Sequence, residues 1–359
     1  MNNILLKCPD IGENILKKLD RQTLLNSQIV CKQWREFFEH QPFFWLKLLE
    51  NKGQPTNISE AWKRLINRSD GRNLTKMFGN CLRKKFLVKG GYVLSYLWVP
   101  NYNFDLEAPP LHSAAYFGHF EIVKLIYELD EDYDRKIINR KSDEGLYNMA
   151  IFLAIQNHHT EIAKFLFLKE TIDPLLSFTG HTPLALAIVY QNLELVKFLA
   201  PRTTNLNFQL RVGRNSLIHL SLFNYEIFEY LVSLPGISPN LINVMGKTPL
   251  MSLLDGEHRI ISHEKVPLMV RILARMARNQ KFYFNDTPLH CAARSNSLAK
   301  LKIVAEYFET SVNVRSHCGF LPIDIAKKYG YQESVEFLTE LRAKLERRSM
   351  EPIWRPFDV

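Results

Sequence analysis

Three adjacent pairs carry side chains able to hold a metal or shuttle a proton: His158-His159, His290-Cys291 and His317-Cys318. An imidazole beside a thiol could bind zinc or activate a nucleophile. The spacing argues against both. Neighbours in a helix point to different sides, so an adjacent pair cannot readily share one ion. Asp130, Glu131, Asp132 and Asp134 form an acidic run that reads as a solvated loop, not a metal cage. The chain has no GxGxxG or GxxxxGKS/T loop to cradle a phosphate, no GxSxG elbow and no HExxH pair. The expectation is a non-enzyme with no catalytic residues, no metal and no cofactor.

Basic residues could instead serve recognition. Arg83, Lys84, Lys85 and Lys89 form one cluster, Arg271, Arg275 and Arg278 a second, and Arg342, Lys344, Arg347 and Arg348 a third. A single-strand binder interleaves aromatics with such charges on one surface, and these clusters lie far apart in the sequence. They read as solvated faces and helix-end charge complementarity. No nucleic-acid partner is expected, while the net charge of +9 leaves an acidic protein surface open. The five cysteines are scattered and odd in number, which points to a reducing intracellular compartment, cytoplasmic or nuclear. The N-terminus has no secretory pattern and no run is long and apolar enough for a membrane helix, so no membrane association is expected.

The elements that must present these residues begin with an apolar-rich module. Ile11, Ile15, Leu16 and Leu19 fall on one helical face. Leu24, Leu25, Ile29 and Val30 form a second patch, and Trp34, Phe37, Phe38, Phe43, Phe44 and Trp45 a third. A module of roughly 45 residues is near the lower limit for folding alone. It should leave an apolar patch in water, and such patches mark partner sites.

Past residue 100 the chain repeats itself. Gly180, Gly213 and Gly246 stand 33 apart, as do Leu184, Leu217 and Leu250. Around them run GHTPLALA, GRNSLIHL and GKTPLMSL, with relatives APPLHSAA, NDTPLHCAA and GFLPIDIA elsewhere. Thr182 and Thr248 are expected to cap the helix that follows. Pro183, Pro249 and Pro288 suit the first helical turn. His112 and His290 are expected to tie one unit's loop to the next. Seven units are expected, beginning near residues 107, 147, 180, 213, 246, 285 and 319. The first is lengthened, with Leu111 to Ile151 spanning 40 positions, and the insert is placed in DEDYDRK. The fifth carries DGEHRIISHEK between its helices, and the last ends in a charged helix suited to a terminal cap.

Two family resemblances follow from these residues. The period of 33 and the T-P-L-H-x-A phrase resemble the ankyrin repeat. The first 45 residues resemble an F-box at Pro9-Asp10, Ile15-Leu16, Leu19-Asp20, Leu24-Leu25, Val30-Cys31-Lys32, Trp34-Arg35, Pro42 and Trp45. They depart from the usual pattern at Cys8 and Gly12. The implied fold is all-α: a three-helix F-box module followed by an ankyrin α-solenoid of helix-turn-helix units with short β-turn tips. The expected boundaries are 4–50 for the F-box, 51–103 for a helical connector or cap, 104–345 for the repeats and 346–359 for a tail.

The resemblance implies a substrate receptor. Its F-box would bind a Skp-type adaptor, and through it a cullin ligase, while the repeats hold an unidentified protein target for ubiquitination. The adaptor contact is carried onto Pro9, Ile11, Ile15, Leu16, Leu19, Leu24, Leu25, Val30, Cys31, Trp34, Pro42 and Trp45, some of which must be the module's own core. In ankyrin proteins the turn tips and first helices usually touch the partner. By register these are Tyr116, Phe178, Thr179, His181, Tyr190, Arg211, Arg214, Val244, Lys247 and Arg294. If Arg211, Arg214 and Lys247 line one ridge, the target surface is expected to be acidic. The alternative is an interaction scaffold unrelated to ubiquitin, with the N-terminus serving only as a solenoid cap.

Overall fold

The computed structural model describes residues 42–51, 56–68, 75–87, 110–129, 149–169, 181–256, 264–277 and 286–350. The chain forms two compact units, Met1–Phe198 and Leu199–Val359. Among the described residues every element is helical, apart from one isolated antiparallel bridge between Gln209 and Ser216. An all-α architecture of repeated helix pairs is therefore what the periodicity encodes. The first 41 residues, the stretch YVLSYLWV (92–99) and the insert DEDYDRK (130–136) lie outside the described residues.

The first unit opens with α1 (Pro42–Asn51), α2 (Thr56–Arg68) and α3 (Thr75–Leu87). Trp45, Trp62 and Phe78 are fully buried, and the Trp62 and Phe78 rings meet edge to face at 6.2 Å. Such edge contacts set the positive rim of one ring against the negative face of the other. Helices α2 and α3 pack on α4 (Pro110–Phe117), and α2 also touches α5 (Phe120–Leu129). Two further pairs follow, α6 (Met149–Gln156) with α7 (Thr160–Lys169) and α8 (Pro183–Val189) with α9 (Leu193–Leu199). The inner helices α4, α6 and α8 stack in a row, with α5 beside α7 behind them. The inner helices are mostly apolar, and their small residues Ala114, Ala115, Ala154, Ala185 and Ala187 are buried, which lets backbones approach closely.

Each pair turns through one residue with left-handed backbone. Gly118 has φ +79°, His158 +58° and Gln191 +56°. Glycine is required at the first of these for a second reason. A Cβ on Gly118 would stand 2.5 Å from Cε1 of His159, whose Nε2 hydrogen-bonds the Tyr116 carbonyl oxygen at 3.1 Å.

The second unit continues with α10 (Leu217–Ser221), α11 (Tyr225–Ser233), α12 (Pro249–Leu254) and α13 (Val266–Met276). It ends with α14 (Pro288–Arg294), α15 (Leu298–Phe308), α16 (Pro322–Lys328) and α17 (Gln332–Met350). Helices α10, α12, α14 and α16 form the inner row, and α13, α15 and α17 pack in sequence behind it. One continuous core runs through them, from Ile218 and Phe228 through Met269, Leu289 and Val304 to Leu338 and Leu341. Helix α17 buries Leu338 and Leu341 but exposes Glu340, Arg342 and Arg347, as an end cap must.

The inner helices start where the repeated phrase says they should. Thr182 and Thr248 accept from the amides of Ala185 at 3.1 Å and Met251 at 3.4 Å. Pro183, Pro249 and Pro288 occupy the first helical positions. His290 ties its unit to the next: its Nε2 donates to the Phe320 carbonyl at 3.0 Å, while its Nδ1 accepts from Thr287 N–H at 3.1 Å. His219 does the same from Ser216 N–H, at 3.2 Å, to the Lys247 carbonyl, at 3.1 Å. His112 is buried in α4.

Candidate partner-binding surface

The surface is built at the loops that precede the inner helices of the second unit. In the segment 209–216 the amide of Leu210 donates to the Asn215 carbonyl at 3.0 Å, closing a hairpin-like tip. Gly213 and Arg214 both take left-handed backbone, φ +74° and +52°, as a tight tip of this hand demands. The next tip, 242–247, is laced to it. Val244 N–H donates to the Gly213 carbonyl at 2.9 Å, and Gln209 Nε2 donates to the carbonyls of Arg214 and Ile242 at 2.8 and 2.7 Å. The Asn243 carboxamide oxygen accepts from the amides of Met245 and Lys247, fixing the second tip internally.

These bonds hold an unusual set of side chains in water. Val212 is 72% exposed, Val244 69% and Met245 61%, with Ile242 beside them. Arg211 and Arg214 are exposed at the same tips. Arg214 makes one long bond, 3.4 Å, to Gln209 Oε1.

Below Met245 lies a pocket of about 420 Å³, also lined by Lys247, Met251, Cys291, Arg294 and His317. Its polar wall is a chain of alternating charges. Lys247 Nζ reaches Asp255 at 2.8 Å, and Asp255 accepts from Arg294 Nε at 3.2 Å. The other end of the guanidinium donates to Asp286 at 2.8 Å, and His317 Nδ1 stands 3.8 Å from the same carboxylate. The carboxylates are the more buried partners, Asp255 at 10% exposure against 35% for Arg294. Cys291 is an inert wall: burial, with the Asp255 charge adding, pushes its thiol up to about 12. Among the described residues no group of three or more His, Cys, Asp and Glu could hold a metal.

The sequence-derived contact residues therefore fall into distinct places. Arg211, Arg214 and Val244 share the laced tips and face solvent. Lys247 and Arg294 line the pocket, each already ion-paired, so Lys247 is not a third free cation of the ridge. In the first unit, Tyr116 is half-buried in α4. Tyr190 meets His158 edge to face at 6.4 Å, and burial raises its phenol. His181 is half-buried, and burial lowers its imidazole below the usual range. Phe178 and Thr179 lie outside the described residues, as do Pro9, Ile11, Ile15, Leu16, Leu19, Leu24, Leu25, Val30, Cys31 and Trp34. Pro42 and Trp45 are buried inside the chain, Trp45 completely.

Sequence reasoning missed Val212, Met245, Asp255 and Asp286. For the first two a signal existed: each directly precedes a tip glycine, Gly213 or Gly246, one repeat apart. An apolar residue at a turn apex has no packing role to explain it. The two aspartates carried no such signal, since their pairing depends on how neighbouring units stack.

The helix pairs, capped inner helices and laced tips define a protein of the ankyrin-repeat class. A model of ankyrin repeats in three copies matches residues 111–210, and an F-box domain model matches residues 6–46. The chain carries an F-box domain match followed by matched ankyrin repeats. Among curated relatives, the human palmitoyltransferase ZDHHC13 is 30% identical over 201 residues, 55% of this chain and 29% of the relative. The human transient receptor potential cation channel subfamily A member 1 is 24% identical over 208 residues, 55% of this chain and 18% of the relative. The chain thus spans a third or less of the length of these relatives. Among solved structures, the human ASB11 ankyrin repeat domain aligns with TM-score 0.48 at 22% identity, covering 64% of this chain and 98% of that one. No described helix is long and apolar enough to cross a membrane.

Proposed function

We propose that the chain is a non-catalytic substrate-recognition adaptor. Its F-box binds a Skp-type adaptor and thereby a cullin ligase, and its repeats hold a target protein for ubiquitination. The single observation that carries this reading is the pairing in one chain of an F-box match at 6–46 with an ankyrin array whose tips expose apolar and basic side chains. Tethering of this kind works by raising the local concentration of target lysines, with no bond chemistry in the adaptor itself. In this reading Pro42 and Trp45 are core, given their burial, and the adaptor contact falls to the residues before them, led by Pro9, Ile11 and Leu16.

The test is co-purification of the full chain with a Skp-type adaptor beside an Ile11→Asp/Leu16→Asp variant. A stoichiometric complex lost in the variant is expected. Absence of any complex with well-folded wild-type chain would leave an ankyrin scaffold unrelated to ubiquitin. The packing of α2 and α3 on the first helix pair is the observation that favours such a cap role for the connector.

A further inference from the structure

We infer that the tips of the second unit receive an acidic polypeptide segment, with an uncharged apolar side chain of that segment seated in the pocket beneath Met245. The inference rests on the reading that the repeats hold a protein partner, and it names the chemistry of that partner.

Three observations carry it. The first is charge. Segments 205–216, 238–248 and 313–321 contain Arg211, Arg214, Lys247 and Arg315 and no Asp or Glu. Lys247 is spent on Asp255, which leaves Arg211, Arg214 and Arg315 exposed and, among the described residues, without an ion-pair partner. Arg211 and Arg214 share one tip, and like-signed charges gathered there steer a partner of opposite sign. The second is the pocket's own neutrality. Each of its cations is already matched by a carboxylate, so an incoming acid would compete with Asp255 and Asp286 for the same N–H groups. An incoming base would in turn compete with Lys247 and Arg294 for those carboxylates. An uncharged side chain meets no such competition and finds Met245 and Met251 as apolar, adaptable walls. The third is continuity. Hydrogen bonds lace the 209–216 tip to the 242–247 tip, and the pocket joins the latter to His317, so ridge and pocket are one surface.

Arg214 adds a local argument. It holds left-handed backbone beside Gly213, where asparagine or glycine would rest more easily. Strain kept at an exposed apex is consistent with a side chain retained for contact.

The test is a selection of random peptides displayed on phage against the immobilised full chain, followed by binding measurements on the enriched peptides. The expected result is enrichment of net-negative peptides containing an apolar residue. Their affinity should fall at least about tenfold with Arg211→Glu/Arg214→Glu, and fall with rising salt. Val212→Asp/Met245→Asp should weaken the same peptides. Both variants alter exposed side chains, and an unchanged thermal unfolding curve confirms that each remains folded. Enrichment of neutral or basic peptides, or insensitivity to both variants, overturns the acidic assignment alone. No enrichment of any peptide overturns the protein-partner reading of the tips with it. Binding of phosphatidylserine vesicles that needs Arg211 and Arg214, without peptide enrichment, overturns the inference in favour of a membrane surface.

Discussion

The two ends of the same loop serve opposite purposes. At one end, Ser216, Thr248 and Thr287 start the inner helices, and His219 and His290 sew each unit to the next. Those residues are buried, and their polar atoms are matched within the fold. A few positions earlier, the side chains of Arg211, Val212, Val244 and Met245 stand largely in water. The repeated signature is consumed by packing, so what the protein recognises must be written in the residues between signatures. Substitutions at the buried end should therefore unfold the array, whereas those at the tips should change binding and little else.

The largest expected effect lies at the buried end. His290→Ala removes the buried acceptor for Thr287 N–H and the donor to the partly buried Phe320 C=O. Two orphaned groups predict a loss of about 2–4 kcal/mol in urea unfolding. Gly118→Ala combines left-handed backbone with a 2.5 Å approach to His159 and should cost about 2 kcal/mol or more by the same assay. A near-neutral result at His290 would erase the contrast between the two ends.

Asp255→Ala sits between them. It strands Lys247 in the pocket wall and leaves Arg294 held by Asp286 alone, with an expected loss of about 1.5 kcal/mol, kept modest because Arg294 keeps that partner and is about a third exposed. Equilibrium unfolding checks it, and peptide affinity should also fall as the wall loosens.

The pH dependence has a definite sign. Burial holds the His290 imidazole below its ordinary range, although the bond to Phe320 opposes this. The unfolded chain therefore binds the extra proton first as pH drops below about 6.5. The stabilisation is complete above that pH and is lost as pH falls toward the folded value. The urea midpoint should drop between pH 7.5 and the acid side, and His290→Gln should flatten that part of the curve.

The smallest effect belongs to the tip. Arg214→Gly relieves left-handed backbone and should raise stability by up to about 1 kcal/mol while weakening the acidic-peptide interaction. A variant that gained stability and kept full affinity would remove Arg214 from the surface.

Much of this fold was legible in sequence, and for a physical reason. The inner-helix phrase is a local code: Thr182, Pro183 and small alanines act within a few residues of themselves, so spacing alone reveals them. The helix pairs followed from it. His290 could be read as a tie because its neighbours repeat one period on. The pocket was not legible. Asp255 meets Asp286 and Arg294 only because two successive units stack, and Arg294 reaches an aspartate 39 positions away. Lys247 illustrates the same limit, since from sequence it looked like a partner of Arg211 and Arg214 on the ridge and in the structure it faces inward to Asp255. Trp45 illustrates it at the other end of the chain: an apolar residue inside a recognition motif can be core or contact, and only burial tells which.

In the proposed function the labour is divided, with the N-terminal module engaging the ligase adaptor and the tips engaging the target. The direct measurement is quantitative co-purification of a Skp-type adaptor with three full-length chains: wild type, Ile11→Asp/Leu16→Asp and Arg211→Glu/Arg214→Glu. A stoichiometric complex is expected with the wild type and with the tip variant, and none with the N-terminal variant. Loss of the adaptor through the tip variant, or its retention by the N-terminal variant, would contradict it.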